Sequence, residues 1–222
     1  MIRLREVQKS YRQGERTTVA CEVTSLDIAA GEHVALIGRS GTGKTTLLHM
    51  LAGILRPDQG TLSILGQDLS TLSESDCDRF RGQHIGMVYQ TFNLLQPFTA
   101  LENVLLGALF GRGAGADAEE RALHLLAQVG LEDRMHHLPS QLSVGQVQRV
   151  AVCRALINNP ELVLMDEPLG NQDKATGGQV LDLLLQLARN NKQTVVMVTH
   201  DPESATRMQR TVDLATLRRV SS

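Results

Sequence analysis

Lys44 and Thr45 close the run Gly38-Arg39-Ser40-Gly41-Thr42-Gly43-Lys44-Thr45, which satisfies G-x-x-x-x-G-K-[ST] at every fixed position. That spacing suits the holding of a phosphate chain. Glycines let backbone N–H groups wrap phosphate oxygens, the Lys44 ammonium reaches the outer phosphates, and the Thr45 hydroxyl is placed for Mg²⁺. A second constellation, Asp166-Glu167, follows the apolar run Leu162-Val163-Leu164-Met165. Adjacent carboxylates at a strand tip point in different directions. Asp166 suits Mg²⁺, through water, while Glu167 suits polarising a water for in-line attack on a γ-phosphorus. A third, Ser143-x-x-Gln146, is a capping box, and a capped helix N-terminus also attracts anions.

These residues need particular elements to position them. Residues 34–37 read as a buried strand and Thr46 to Ala52 as an apolar helix, so the glycine-rich run lies in a strand-turn-helix context. Further strand-length apolar runs occur at 62–65, 85–88, 162–165 and 195–198, alternating with helical patterns, which predicts an α/β fold. Ala122, Leu125, Leu126 and Val129 follow i, i+3, i+4, i+7, as do Val180, Leu183, Leu184 and Leu187, and Gly130 stops the first helix. Both stripes are core, as is Val147, Val150, Cys153 and Ile157 on the helix that Ser143 opens. Between Gln90 and Leu142 the strand pattern gives way to helical segments, which predicts a helical insertion. Gly111-Arg112-Gly113-Ala114-Gly115 lacks a preceding strand and a following Lys-Thr, so it reads as a surface loop.

Composition excludes several classes. At 222 residues the chain is long enough for a large core without a covalent staple. Cys21, Cys77 and Cys153 stand apart and odd in number, which suggests neither a disulfide framework nor a zinc site, and fits a reducing compartment. Met1-Ile2-Arg3-Leu4-Arg5-Glu6 alternates like a strand and is not expected to be a signal peptide. No apolar run approaches the ~18 residues of a membrane span. A net charge of −2 without a Lys/Arg block argues against a nucleic-acid partner.

The phosphate loop, Leu142-Ser143-Val144-Gly145-Gln146 with Gln148-Arg149-Val150-Ala151 and Arg154-Ala155-Leu156, and Asp166-Glu167-Pro168 occur in an order that resembles the ATP-binding-cassette ATPases over nearly the whole chain. The resemblance implies an α/β P-loop NTPase: a RecA-like core with an N-terminal antiparallel β subdomain and a helical insertion. It implies one domain over 1–222, with core at 1–90 and 149–222 and helical subdomain at 91–148. Two copies, or one copy and a homologous ATPase, then meet head to tail, each ATP lying between the phosphate loop of one and the signature of the other. On this resemblance Gly38, Arg39, Ser40, Gly41, Thr42, Gly43, Lys44, Thr45 and Thr46 contact nucleotide, with Ser143, Gly145 and Gln146 in the signature. Tyr11 matches the adenine-stacking aromatic and Asp173 the aspartate communicating between sites. Gln90 matches the glutamine at Mg²⁺ and water, and His200 the γ-phosphate histidine, so Lys44, Gln90, Glu167 and His200 form the catalytic set. Thr45, Gln90 and Asp166 form the metal set. His136 and His137 match nothing and read as loop residues.

Phe92-Asn93-Leu94-Leu95, Thr99-Ala100-Leu101-Glu102-Asn103-Val104 and Gly170-Asn171 look like the ATPases of lipoprotein-release, macrolide-export and cell-division systems. The subgroup implies a peripheral subunit on the cytoplasmic face of the inner membrane, docked through the region of Phe92 to Val104 on an integral permease. It powers export or lipoprotein extraction. The alternative is a mechanotransmitter that controls an extracytoplasmic enzyme. One cassette without a long heptad insertion argues against a soluble cassette acting on ribosomes. The chain departs from the pattern at Val144, where the signature has glycine, and at Leu169 and Gln172. If that position requires a left-handed backbone, valine costs ~1–2 kcal/mol. The expectation is a weakened signature that still works, because Ser143 and the Gly145 amide remain.

Overall fold

The computed structural model describes residues 1–14, 16–39, 41–111, 116–169 and 174–218. In chain order the elements are β1 (Ile2–Gln13), β2 (Arg16–Ile28), β3 (His33–Ile37), α1 (Lys44–Leu51), β4 (Gln59–Ile64), β5 (Gln67–Asp68) and α2 (Glu74–His84). There follow β6 (Ile85–Val88), α3 (Ala100–Leu109), α4 (Ala116–Gln128), α5 (Val144–Leu156), β7 (Leu162–Asp166), α6 (Lys174–Asn190), β8 (Thr194–Thr199), α7 (Pro202–Thr206) and β9 (Arg210–Asp213). They fall into two compact units, Met1–Asp78 with Thr194–Ser222, and Arg79–Gln193.

In the first unit an antiparallel sheet runs β2-β1-β4-β5. Alternation places Ile2, Leu4 and Val7 of β1 and Cys21, Val23, Leu26 and Ile28 of β2 inside, and the register runs from Ile2 opposite Ile28 to Gln13 opposite Arg16, with a bulge at Lys9/Ser10. The same unit holds parallel strands β8-β3-β9, with Val34 beside both Val196 and Arg210. Strands β3 and β8 are almost wholly buried and correspondingly apolar, as parallel strands are. The apolar run at 62–65 serves the antiparallel sheet: Leu62 and Ile64 face its core, and Leu65 leaves β4 with a left-handed backbone at φ 54°.

In the second unit β6 and β7 pair in parallel, from Ile85 beside Leu162 to Val88 beside Met165. Helix α4 buries Ala118, Ala122 and Leu126, and Gly130, at φ 69°, turns the chain after it. Helix α6 buries Val180, Leu184 and Leu187, with Leu181 and Leu185 beside them. Helices α3 and α5 approach closely because Gly107 has no side chain; a Cβ there would lie 2.6 Å from the Arg154 carbonyl oxygen. The sheets and helices are those of an α/β P-loop NTPase, the class that the sequence implies. No helix among the described residues is long and apolar enough to cross a membrane.

All three cysteines are buried, and burial pushes the Cys21 thiol up to about 11 and the Cys153 thiol to about 12. A full capping box opens α3: Thr99 Oγ1 accepts from the Glu102 N–H, and the Glu102 carboxylate accepts from the Thr99 N–H at 2.7 Å. Donation from that N–H and from the Thr99 hydroxyl holds the Glu102 carboxyl below its ordinary value. Thr99→Ala removes the hydroxyl from both ends of the box and is expected to lower stability by ~1 kcal/mol, read as a shift in the urea midpoint with unchanged slope.

Candidate nucleotide site

Strand β3 ends at Ile37 beside Thr199 of β8, so the glycine-rich turn and His200 leave the carboxyl edge of neighbouring parallel strands. Open α/β sheets hold their ligands at that edge. The turn is shaped by steric limits. Gly41 and Gly43 have φ 78° and 84°, and a Cβ on Gly43 would lie 2.1 Å from the Ala20 carbonyl oxygen of β2. A Cβ on Gly38 would lie 2.6 Å from Thr42 Oγ1. Gly43 is also the N-cap of α1, and it brings no side chain to cover the first-turn N–H groups.

Lys44 is only 7% exposed, and its Nζ donates to the Gly38 carbonyl at 2.9 Å and the Arg39 carbonyl at 3.2 Å. The Thr42 hydroxyl also donates to the Arg39 carbonyl, at 2.8 Å. A buried lysine whose ammonium is held by the backbone of a glycine-rich turn is a site for an anion, and a triphosphate fits the chemistry of these donors. Thr45 is exposed and Thr46 half-buried on the first turn of α1, while Ser40 lies outside the described residues. Tyr11, on β1 opposite Thr18, is 48% exposed, and His200 is exposed, followed by Asp201, which caps α7 through the Ser204 N–H. One contact to the loop is absent from the motif: Arg218 donates to the Thr42 carbonyl at 3.1 Å.

The second unit has its own carboxyl edge. Gln90, exposed, follows β6, and Asp166 ends β7 with Glu167 next, both half-buried. Glu167 has φ 43°, an uncommon conformation for a residue with a side chain, of the kind that collects at functional sites. The buried amide of Gln148 on α5 donates to the Pro168 carbonyl at 2.9 Å, fixing the segment just beyond Glu167. Ser143 caps α5 as its sequence predicts: Ser143 Oγ accepts from the Gln146 N–H at 3.3 Å, and Gln146 Oε1 accepts from the Ser143 N–H at 2.9 Å. Gly145 is buried on the first turn. Val144 is the first helical residue of α5 and 61% exposed; its backbone is helical, so the cost of a left-handed valine does not arise. Asp173 and the Gly170-Asn171-Gln172 run before it lie outside the described residues.

Gln148 stands in the run Gln148-Arg149-Val150-Ala151 that carries the family resemblance, which does not name its partner, and Arg218 belongs to no motif. A polar residue on the buried face of an amphipathic helix is a signal for the first; nothing in the sequence pairs the second with Thr42.

A glycine cradle with a buried lysine at the end of a parallel strand defines a P-loop nucleotide-binding α/β protein. A family model described as ABC transporter matches residues 21–170, and the chain belongs to that family. It is 44% identical over 214 residues to the lipoprotein-releasing system ATP-binding protein LolD of Chromohalobacter salexigens, covering 96% of this chain and 90% of that protein. It is likewise 44% identical over 209 residues to LolD of Legionella pneumophila strain Paris, covering 94% and 92%. Among solved structures it is similar to the dimeric post-hydrolysis state of the ATP-binding cassette MJ0796 bound to ADP and Pi, with TM-score 0.86, 39% identity, and coverage of 96% and 94%. The chain is thus an ABC transporter ATP-binding subunit and an ATPase, of the LolD-like subgroup that its sequence resembles.

Gly43→Ala forces its methyl group into the Ala20 carbonyl and is expected to weaken ATP binding at least tenfold, equivalent to ~1.4 kcal/mol. Titration with a fluorescent ATP analogue reads the loss, and circular dichroism checks that the fold persists.

Proposed function

We propose that the chain hydrolyses ATP as a head-to-tail dimer and so drives an integral membrane partner in lipoprotein extraction or export. The observation that carries this reading is the presence, in one chain, of two anion-attracting devices: the cradle around Lys44 and the capped N-terminus of α5 at Ser143. They serve different copies, the cradle of one facing the signature of the other. The description of the cassette MJ0796 as a dimer bound to ADP and Pi supports that arrangement.

Within it, Gly38, Arg39, Ser40, Gly41, Thr42 and Gly43 wrap the phosphates, Lys44 neutralises the outer ones, and Thr46 adds a first-turn contact. Tyr11 stacks on the base through its exposed face. Ser143, Gly145 and Gln146 present the helix end to the opposite copy's nucleotide, and Asp173 links the two sites. Thr45, Gln90 and Asp166 offer the hard oxygen donors that suit Mg²⁺, which when bound neutralises phosphate charge. Glu167 holds the attacking water and accepts its proton, while His200 steadies the γ-phosphate. The 1–90 and 149–222 segments serve as the catalytic core and 91–148 as the signature-bearing helical subdomain.

The membrane partner docks on the loop and helix from Phe92 to Val104. Leu95 and Phe98 are 49% and 37% exposed there, and Phe98, Leu105, Leu106 and Leu109 line an apolar groove of about 200 Å³. The lipoprotein-release names of the relatives favour transport over the regulatory mechanotransmitter; in this reading the chain works as a peripheral subunit on the cytoplasmic face of the inner membrane.

Two experiments test this reading. Glu167→Gln is expected to lower turnover by roughly 10²-fold or more while keeping ATP bound, and to dimerise in saturating Mg·ATP by light scattering. A monomer under those conditions, even beside the membrane component, overturns it. Leu95→Asp is expected to abolish co-purification with the membrane component from mild detergent, with ATP affinity within about twofold of the parent. Undiminished co-purification moves the docking surface elsewhere.

A further inference from the structure

Between β6 and α3 the chain crosses a short irregular segment, residues 89–99, whose conformation is uncommon. Phe92 and Asn93 are consecutive residues with side chains at φ 56° and 48°, a left-handed pair where glycine is the ordinary choice. Surrounding structure must impose such a pair. Turn bonds within the segment, from the Phe92 N–H to the Tyr89 carbonyl and from the Asn93 N–H to the Thr91 carbonyl, are joined by one group from α5. Arg154 donates through Nη1 to the Asn93 carbonyl at 2.7 Å and through Nη2 to the Phe92 carbonyl at 2.5 Å, so one planar fork spans both left-handed residues. Its stem runs past α3 at Gly107, where an added Cβ would lie 3.0 Å from Arg154 Cγ. Burial pulls the guanidinium below its ordinary value, and Tyr89, the neighbour of Gln90, acts in the other direction.

The far end of the segment is held separately. Buried Asn103 on α3 donates to the carbonyls of Leu95, Phe98 and Thr99 at 3.1, 2.9 and 3.0 Å, and its oxygen accepts from the Leu95 N–H at 2.8 Å. Asn103 thus fastens the loop to α3, and Arg154 fastens it to α5. The second tie reaches the signature helix directly, because Ser143 caps the other end of the same helix, ~16 Å along its axis, whereas the first reaches it only through the packing of α3.

We infer that Arg154 is a positioning residue which makes the segment 92–98 move with α5, so that a nucleotide engaging the Ser143 end of the helix shifts the surface carrying Leu95 and Phe98. The inference rests on the dimeric ATP reading above. Arg154 touches neither nucleotide nor metal in this scheme; it acts through the carbonyls of Phe92 and Asn93. A lysine has the charge but not the fork, and it cannot hold two carbonyls in one plane.

Hydrogen exchange on the full chain in the Glu167→Gln background, with and without saturating Mg·ATP, tests it. With Arg154 present, Mg·ATP is expected to change exchange across 94–98, at every amide but Pro97, which has none, by at least about fivefold, a usual lower bound for coupled sites. Adding Arg154→Lys should cut that response to less than about twofold while the nucleotide-dependent protection of amides 41–47 persists. Arg154→Met, which fills the stem's volume without donors, is the second variant and should behave alike. Asn103→Ala is the contrast: a merely local fastening raises exchange at 95–99 with or without nucleotide, and it should leave the ATP response of 94–98 in place. A response at 94–98 that survives both Arg154 variants, or that is absent from the parent while 41–47 is protected, overturns the inference. Failure of Mg·ATP to protect 41–47 in the parent overturns the nucleotide reading itself, and the inference falls with it.

Discussion

The packing of Gly43 on the Ala20 carbonyl governs the phosphate loop. The two backbones are so close that a methyl group cannot stand between them, and Gly43 has a left-handed angle as well, so both space and conformation call for glycine. Lys44, the next residue, folds back over Gly38 and Arg39. The antiparallel sheet therefore does more than add bulk to the first unit. Its second strand is the surface against which the loop is moulded, and Tyr11 stands on the strand beside it.

The second unit solves a different problem with the same economy of parts. Three polar side chains, Gln148, Arg154 and Asn103, bind carbonyls of irregular segments. Irregular backbone near a core must have its polar groups satisfied, and side chains do here what a sheet ladder does elsewhere. Two of the three sit on α5, which thus joins its capped N-terminus, the segment after Glu167 and the loop after Gln90. Glu167 keeps an acidic side chain at a backbone angle that glycine or asparagine would adopt more easily.

Much of this was legible in the residues. The strand-turn-helix setting of Gly38 to Thr45, the capping box at Ser143 and the stripes on α4 and α6 follow from local periodicity and from side chains acting within four residues of themselves, which sequence records directly. The antiparallel placement of 62–65 was less so, since an apolar run states burial but not the direction of its neighbours. Arg154 and Gln148 stand in the signature region, but what they bind could not be read from spacing. Their partners lie 61, 62 and 20 residues away and are main-chain carbonyls, which have no letter in the sequence. The helical backbone of Val144 was hidden for a related reason: a departure from a motif shows which side chain changed, and the conformation it must adopt is set by the cap before it.

The three interior cysteines have a practical consequence. With every native thiol shielded by packing, and two of them disfavoured as thiolates by their surroundings, the natural chain offers maleimide dyes almost no background. One engineered surface cysteine on each of two chosen elements would therefore take a donor and an acceptor cleanly, and single-molecule distances could follow the cassette through its cycle without first stripping the protein of its own sulfur.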